Sequence, residues 1–170
     1  VSIKISPPVK VKKLYEGAKL PKKKSEGAAA YDLSLYSPNF AIVMAPGSVR
    51  VVNTGIAIEV PPGWKGEVYS RSGLSSEGVC VMNSPGKIDS DYRGELKVIL
   101  FNSSKYEEKT FLHGERIAQI EINPVYETEW VEVDELSETL RGESGLGSTG
   151  RASADDAPSE EASTQLDLPL

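Results

Sequence analysis

Short β-rich runs separated by glycine and proline turns restrict what this chain can fold into more than any other feature. Residues 9–14 read V-K-V-K-K-L, which starts as an alternation of period two. Residues 49–60 form a long β-rich run broken by Asn53-Thr54-Gly55, and Pro61-Pro62-Gly63 is a strong turn signal. Further strands are predicted over 64–69, 79–82, 96–101 and 117–122, whereas only 72–77 and 133–140 have room for helical turns. Many short strands with 15 Gly and 11 Pro between them imply an all-β domain: a sandwich, a barrel or a jelly roll. The chain carries no internal repeat.

A length of 170 residues is enough for one domain with a sizeable core. The single cysteine, Cys80, rules out an internal disulfide. Within Val79-Cys80-Val81-Met82 it reads as a buried, inert thiol. No run is long and apolar enough to span a membrane, and the Lys-rich start has no apolar signal region, so a cytoplasmic location is expected. The net charge of −6 is unevenly spread. Residues 151–170 hold five acids, Asp155, Asp156, Glu160, Glu161 and Asp167, against Arg151 alone. Of the chain's 25 acids and 19 bases, 20 and 18 therefore remain in residues 1–150, which are near neutral. Nothing resembles a duplex-DNA-binding surface, and the basic Pro21-Lys22-Lys23-Lys24 reads as a solvated loop. After Gly142 the composition turns Gly-rich, then becomes Ala, Ser, Asp, Glu and Pro. Residues 151–164 have too little apolar bulk to offset their ordering entropy and are expected to be disordered.

Five segments carry candidate chemistry. Gly27-Ala28-Ala29-Ala30-Tyr31-Asp32-Leu33 joins small residues, which permit close backbone approach, to a carboxylate that could hold water on a metal ion. Ser70-Arg71-Ser72-Gly73-Leu74 ends a strand and opens a helical turn. Backbone N–H, hydroxyl and guanidinium donors there attract phosphate, and an ordinary helix cap is the other reading. Residues 86–102, GKIDSDYRGELKVILFN, place Asp89 at a strand end, Tyr92 at a turn and Gly94 before a nearly pure strand. A buried Asp89 is the candidate general base for a water, with Asp91 as the rival that shapes the turn. Tyr92 either walls off one face of a sugar or packs in the core. Gly114-Glu115-Arg116-Ile117-Ala118-Gln119 offers the Gln119 amide to a phosphate oxygen; otherwise Gln119 is a polar strand residue. His113 has no evident catalytic partners. Arg141-Gly142 with residues 145–150, G-L-G-S-T-G, has the composition of a phosphate-gripping loop or of a plain linker. It lacks the Gly-Lys-Ser/Thr end of a P-loop and the dinucleotide fingerprint.

In this order and spacing the five segments resemble the five motifs of the trimeric deoxyuridine triphosphatase (dUTPase) family. Thr54-Gly55-Ile56-Ala57 and Pro62-Gly63-Trp64 resemble the turns between those motifs. The resemblance implies a jelly-roll-like β subunit in a homotrimer whose sites are built from three chains. Its parts would be a β domain over 1–140, an arm over 141–150 that closes a neighbour's site, and a tail over 151–170. It also implies Mg²⁺-assisted hydrolysis of dUTP to dUMP and pyrophosphate, which provides dUMP for dTMP synthesis and limits uracil in DNA. Carried over, Asp89 activates water for in-line attack on the α-phosphorus, and Tyr92 packs on deoxyribose and excludes a 2′-hydroxyl. The backbone around Gly86, Lys87, Ile88 and Lys97, with Asn83, reads uracil. Arg71, Ser72, Gly73 and Gln119 hold phosphates, and Asp32 touches Mg²⁺ through water. Arg141, Ser148 and Thr149 grip the γ-phosphate end, with Leu146 and Gly147 in the same loop.

Three positions depart from the family pattern. Ala30 stands where the family usually has Gly, Ser70 where it has Pro, and Leu146 where an aromatic stacks on uracil. Loss of that ring implies weaker closure, by about 1–3 kcal/mol of stacking. The end of the chain, Gln165-Leu166-Asp167-Leu168-Pro169-Leu170, resembles a bacterial sliding-clamp-binding peptide at the tip of a flexible tether. Such a peptide points to a bacterial or phage-infected bacterial cell. The competing readings are a dCTP deaminase on the same fold, disfavoured by the glycine-rich fifth segment, and a catalytically idle binding module.

Overall fold

The computed structural model describes residues 7–143. The chain divides into two units, one ending at Thr128 and the other starting at Glu129. Within the first unit the strands run in chain order: β1 (Lys10–Lys13), β2 (Tyr31–Ser34), β3 (Ala41–Met44), β4 (Val49–Glu59), β5 (Trp64–Tyr69), β6 (Val79–Val81), β7 (Gly86–Ile88), β8 (Glu95–Asn102), β9 (Lys109–Leu112) and β10 (Arg116–Pro124). One five-residue helix, α1 (Ser72–Ser76), lies between β5 and β6. All pairings are antiparallel, in three sheets ordered β1-β4-β8-β6, β2-β10-β5-β7 and β3-β9. The all-β expectation holds, and the arrangement is the jelly-roll-like one.

The core follows from period-two alternation. In β8, Leu96, Val98 and Leu100 are buried, while Lys97 and Ile99 between them are more open. They join Ile56, Ile58 and Val60 from β4 and its exit, Leu33 from β2, Val68 from β5, and Ile117, Ala118 and Ile120 from β10 in one apolar cluster. Each valine, leucine or isoleucine among them contributes about 1.5–3 kcal/mol when fully buried. Asn102 ends β8 as a buried polar residue. Its Nδ2 donates to the carbonyls of Met44, Ala45 and Glu107, and its Oδ1 accepts from the Ser104 N–H at 3.1 Å. Every polar atom of that buried side chain is therefore paired, which is the condition for tolerating it there.

The structure corrects four expectations. Asn53-Thr54-Gly55 does not break the long run: β4 passes through it, with a register shift between Asn53 and Ala57. Gly55 has φ of +73°, and a Cβ there would lie 2.9 Å from both the Ala18 Cβ and the Tyr36 Cγ. Its N–H donates to Glu95 Oε1 at 2.9 Å, so the bulge is anchored to the neighbouring strand. Residues 133–140 form no helix. Its large apolar residues, Val133, Leu136 and Leu140, are all exposed, and a short helix needs an apolar face packed on something to persist. Cys80 is half-buried rather than buried, because its neighbours Val79 and Val81 take the inward positions of β6. Asp89 is exposed, not buried, because it follows the last residue of β7. The strand over 31–34 alternates but is only four residues long, and those over 41–44 and 109–112 lack a clear alternation in sequence and are defined by their partners.

Candidate active site

Two groups of predicted residues are brought together, each at a different place. The first lies at one end of the sheet β2-β10-β5-β7. Register sets Gln119 of β10 opposite Asp32 of β2 on one side and Tyr69 of β5 on the other. Beyond Tyr69 the chain turns through Ser70 and Arg71 into α1, whose N-terminus takes no side-chain cap. Asp32 Oδ1 is 3.1 Å from Arg71 Nε, and its Oδ2 is 2.9 Å from Arg116 Nη1. The Arg71 Nη1 also donates to the Arg116 carbonyl at 2.7 Å, and Gln119 Nε2 donates to the Ser70 carbonyl at 2.9 Å. Ser70 Oγ accepts from the Val81 N–H at 2.8 Å, so this serine ties the turn to β6. One carboxylate therefore aligns two guanidiniums, and charge-assisted bonds of this type are the strong ones. Ser72 and Gly73 are exposed at the start of α1.

Sequence reasoning favours Gln119 and misses Arg116, three residues earlier along β10. The signal for Arg116 is the alternation that puts a cation next to the buried Ile117. Two open grooves meet at this residue. One, of about 710 Å³, is lined by Asp32 and a series of lysines; the other, of about 460 Å³, by Arg71, Leu74 and Glu115.

The second group is the segment from β7 to β8, two consecutive strands that lie in different sheets and do not form the hairpin expected from sequence. Gly86 and Ile88 pair with Val68 and Gly66 of β5, and Lys87 lies opposite Glu67. Asp89 and Asp91 are exposed in the turn that follows. The Tyr92 N–H donates to the Asp89 carbonyl at 3.2 Å, and its hydroxyl donates to the Glu95 carbonyl at 2.9 Å. Tyr92 is 43% exposed, so its ring is a surface wall and not a core residue. A Cβ on Gly94 would come within 2.4 Å of the Tyr92 Oη, so glycine makes room for the ring. Asn83 is exposed in the turn ahead of β7, and Lys97 is exposed on β8 opposite Asn53.

The two groups do not meet within one chain. Ile88 is level with Gly66, so Asp89 falls level with Lys65 near the Trp64 end of β5, while Arg71 follows its other end. Roughly six residues of extended chain separate those levels, about 20 Å at the rise of a strand. Arg141 lies in the second unit, and Leu146, Gly147, Ser148 and Thr149 fall outside the described residues. So do Gln165, Leu166, Asp167, Leu168 and Leu170 of the terminal peptide.

Glu67, unforeseen in the sequence, organises the polar face between the groups. It is 6% exposed and paired with the Lys87 ammonium. It also accepts from Asn123 Nδ2 at 2.6 Å and from the Tyr69 hydroxyl at 3.1 Å, with Lys65 Nζ at 3.1 Å. The Lys87 bond first, then the Asn123 bond, hold its carboxyl down to about 2. The same bond raises the Lys87 ammonium, and burial, then the bond to Glu67, raises the Tyr69 phenol.

No cluster of three or more His, Cys, Asp or Glu able to hold a metal exists among the described residues. Mg²⁺ does not need such a cluster, since it keeps several waters and is commonly held through one or two carboxylates plus substrate phosphates. Asp32 fits such a contact through water, since both its oxygens already face guanidiniums.

The fold and the guanidinium cluster define an all-β protein with an anion-facing site at a sheet end. The dUTPase family model matches residues 16–150, and the chain belongs to that family. It is 50% identical over 141 residues to a deoxyuridine 5′-triphosphate nucleotidohydrolase of Hydrogenobaculum sp. (strain Y04AAS1), covering 82% of this chain and 96% of that one. It is 48% identical over 133 residues to the enzyme of the same name from Anaeromyxobacter sp. (strain Fw109-5), covering 78% and 88%. Among solved structures it resembles the Staphylococcus bacteriophage 80alpha dUTPase with dUPNHPP. The TM-score is 0.74 at 29% identity, over 84% of this chain and 98% of that one. No described helix is long and apolar enough to cross a membrane.

Proposed function

We propose that this chain hydrolyses dUTP to dUMP and pyrophosphate at a site completed by copies of itself. As a member of the dUTPase family it is a deoxyuridine triphosphate nucleotidohydrolase. The observation that carries the finer reading is the Asp32–Arg71–Arg116–Gln119 cluster at the sheet end. Its guanidiniums supply fixed positive charge where a triphosphate needs neutralising and aligning, the main demand of phosphoryl chemistry. Arg71, Ser72, Gly73 and Gln119 hold phosphate oxygens in this reading. Arg141, with Ser148 and Thr149, grips the far end of the triphosphate, with Leu146 and Gly147 beside them.

Asp89, exposed and without a salt bridge among the described residues, takes a proton from a water as the water oxygen attacks the α-phosphorus. The bond from that phosphorus to the α–β bridging oxygen breaks, and its electron pair leaves on pyrophosphate. Tyr92 packs on deoxyribose, and the Gly86–Ile88 backbone, with Lys97 and Asn83, reads the uracil edge. Cytosine is rejected because it would leave buried polar groups unpaired. When bound on the triphosphate through Asp32 and water, Mg²⁺ supplies further charge neutralisation.

The homotrimer typical of the family is consistent with the same geometry. Asp89 and Arg71 are held at opposite ends of β5, so a complete site needs them from different chains. Trp130, Leu136 and Leu140 are 92%, 87% and 112% exposed in the single chain, a cost that association would remove. The terminal peptide, Gln165 to Leu170, serves in this reading as a tether to a bacterial sliding clamp.

The experiment is dUTP turnover by wild type and Asp89→Asn, with pyrophosphate release as readout. The variant should bind a non-hydrolysable dUTP analogue normally and turn over at least about a hundredfold more slowly, the scale of general-base catalysis. Wild-type rates in the variant would remove Asp89 from the role of base.

A further inference from the structure

The loop joining β1 to β2 reads as an ordinary solvated basic segment in the sequence, yet in the structure it forms one wall of the larger groove. Lys13, Lys19, Lys22, Lys23, Lys24 and Arg116 line that groove of about 710 Å³, against Asp32 as its one acid. Both oxygens of Asp32 are already taken by Arg71 and Arg116. Its charge therefore does not offset the lysines.

The placement of Lys22 is set by backbone. Its N–H donates to the Asp32 carbonyl at 3.3 Å, and the Asp32 N–H donates back at 2.9 Å. Residues that exchange both bonds in an antiparallel bridge point their side chains to the same face. Lys22 thus stands on the face where Asp32 aligns the two arginines. Lys19 is drawn in by a 3.0 Å bond from Nζ to the Gly114 carbonyl, and Lys23 sits 5.2 Å over the Tyr31 ring. No ion pair engages Lys13, Lys22 or Lys24 among the described residues. Several ammoniums facing one concavity repel one another and focus a positive potential. Only a multivalent anion relieves that arrangement at several points at once.

We infer that this groove is a pyrophosphate-binding site contiguous with the phosphate cluster, which receives the diphosphate leaving group on its way out. The inference rests on the hydrolase reading for its ligand's origin. Arg116 belongs to both the groove and the cluster, so a diphosphate released beside Arg71 and Arg116 shifts into the groove without crossing uncharged surface. Lysine suits this task because its ammonium is a mobile point charge that holds phosphate without fixing its orientation.

The test is calorimetric titration of the full chain with inorganic pyrophosphate, in metal-free buffer at fixed ionic strength. Lys22→Gln/Lys24→Gln should weaken the pyrophosphate Kd at least fivefold. Lys105→Gln, an exposed lysine outside the groove, should leave it unchanged. An unaltered Kd in the double variant, or equal weakening in the Lys105 control, overturns the site. Turnover of dUTP by wild type is scored separately. Pyrophosphate binding without turnover refutes the hydrolase reading, whereas turnover with variant-independent pyrophosphate binding refutes the groove alone.

Discussion

Asp32 shows how much one side chain can organise. Its two oxygens fix Arg71 and Arg116 as a pair, and its backbone holds Lys22 beside them. Gly94 acts by what it lacks. A Cβ there would lie 2.4 Å from the Tyr92 Oη and 2.6 Å from its Cζ, so Gly94→Ala forces the ring off the Glu95 carbonyl. Displacing a substrate wall by about an ångström costs up to a hundredfold in rate. Gly94→Ala should therefore lower kcat/KM for dUTP by tenfold or more and narrow the preference for dUTP over UTP, while the thermal midpoint moves little. Steady-state kinetics on both nucleotides checks this, and an unchanged dUTP-to-UTP ratio would show that Tyr92 does not sense the sugar. The residues themselves were legible in the sequence, since Asp32, Arg71, Asp89, Tyr92 and Gln119 stood out by chemistry and spacing. Arg116 was not, because its value depends on a carboxylate 84 positions away.

The strands β5, β7 and β10 carry the polar face that separates the two halves of the proposed site. Glu67, opposite Lys87 and Glu121, is its hub. With its carboxyl held at about 2 against an ordinary 4.5, the folded form binds its proton less readily than the unfolded chain. The stability this confers is present above about pH 4.5 and is lost as pH falls toward 2. After discounting for the half-exposed Lys87, the contribution is on the order of 1–2 kcal/mol. Glu67→Gln should lower the thermal midpoint at pH 7 and flatten the loss of stability between about pH 5 and pH 2. Denaturation followed across that range would refute the assignment if wild type and variant kept parallel curves. In the sequence, K-G-E-V-Y announced a strand but not a buried charge, because burial of Glu67 needs three strands in register. The missed strands over 41–44 and 109–112 have the same cause: their pairing partners, not their own alternation, decide them.

In the proposed assembly the two half-sites meet between chains. If Asp89 and Arg71 come from different chains, two inactive variants can repair each other. Asp89→Asn mixed and refolded with Arg71→Ala should recover a measurable fraction of wild-type dUTP turnover, since some mixed sites contain both native residues. Activity no higher than that of the separate variants would place both residues in one chain's site. The terminal peptide makes an independent prediction: deleting residues 160–170 should abolish binding to a bacterial sliding clamp, measured by surface plasmon resonance, and spare dUTP turnover. Retained clamp binding would discard the peptide as a tether.

The amino-acid sequence by itself determined the all-β class, the turns at glycine and proline, and the kinds of group available for chemistry. Those are local properties: side-chain periodicity sets strands, and residue type sets donors, acceptors and charge. Only the tertiary structure decided which groups meet. Antiparallel register brought Asp32, Arg71, Arg116 and Gln119 to one end of a sheet, turned a basic loop into a groove beside them, and left Asp89 at the other end. Register is fixed by burial of whole strands across long sequence separations, and no short window of sequence contains it.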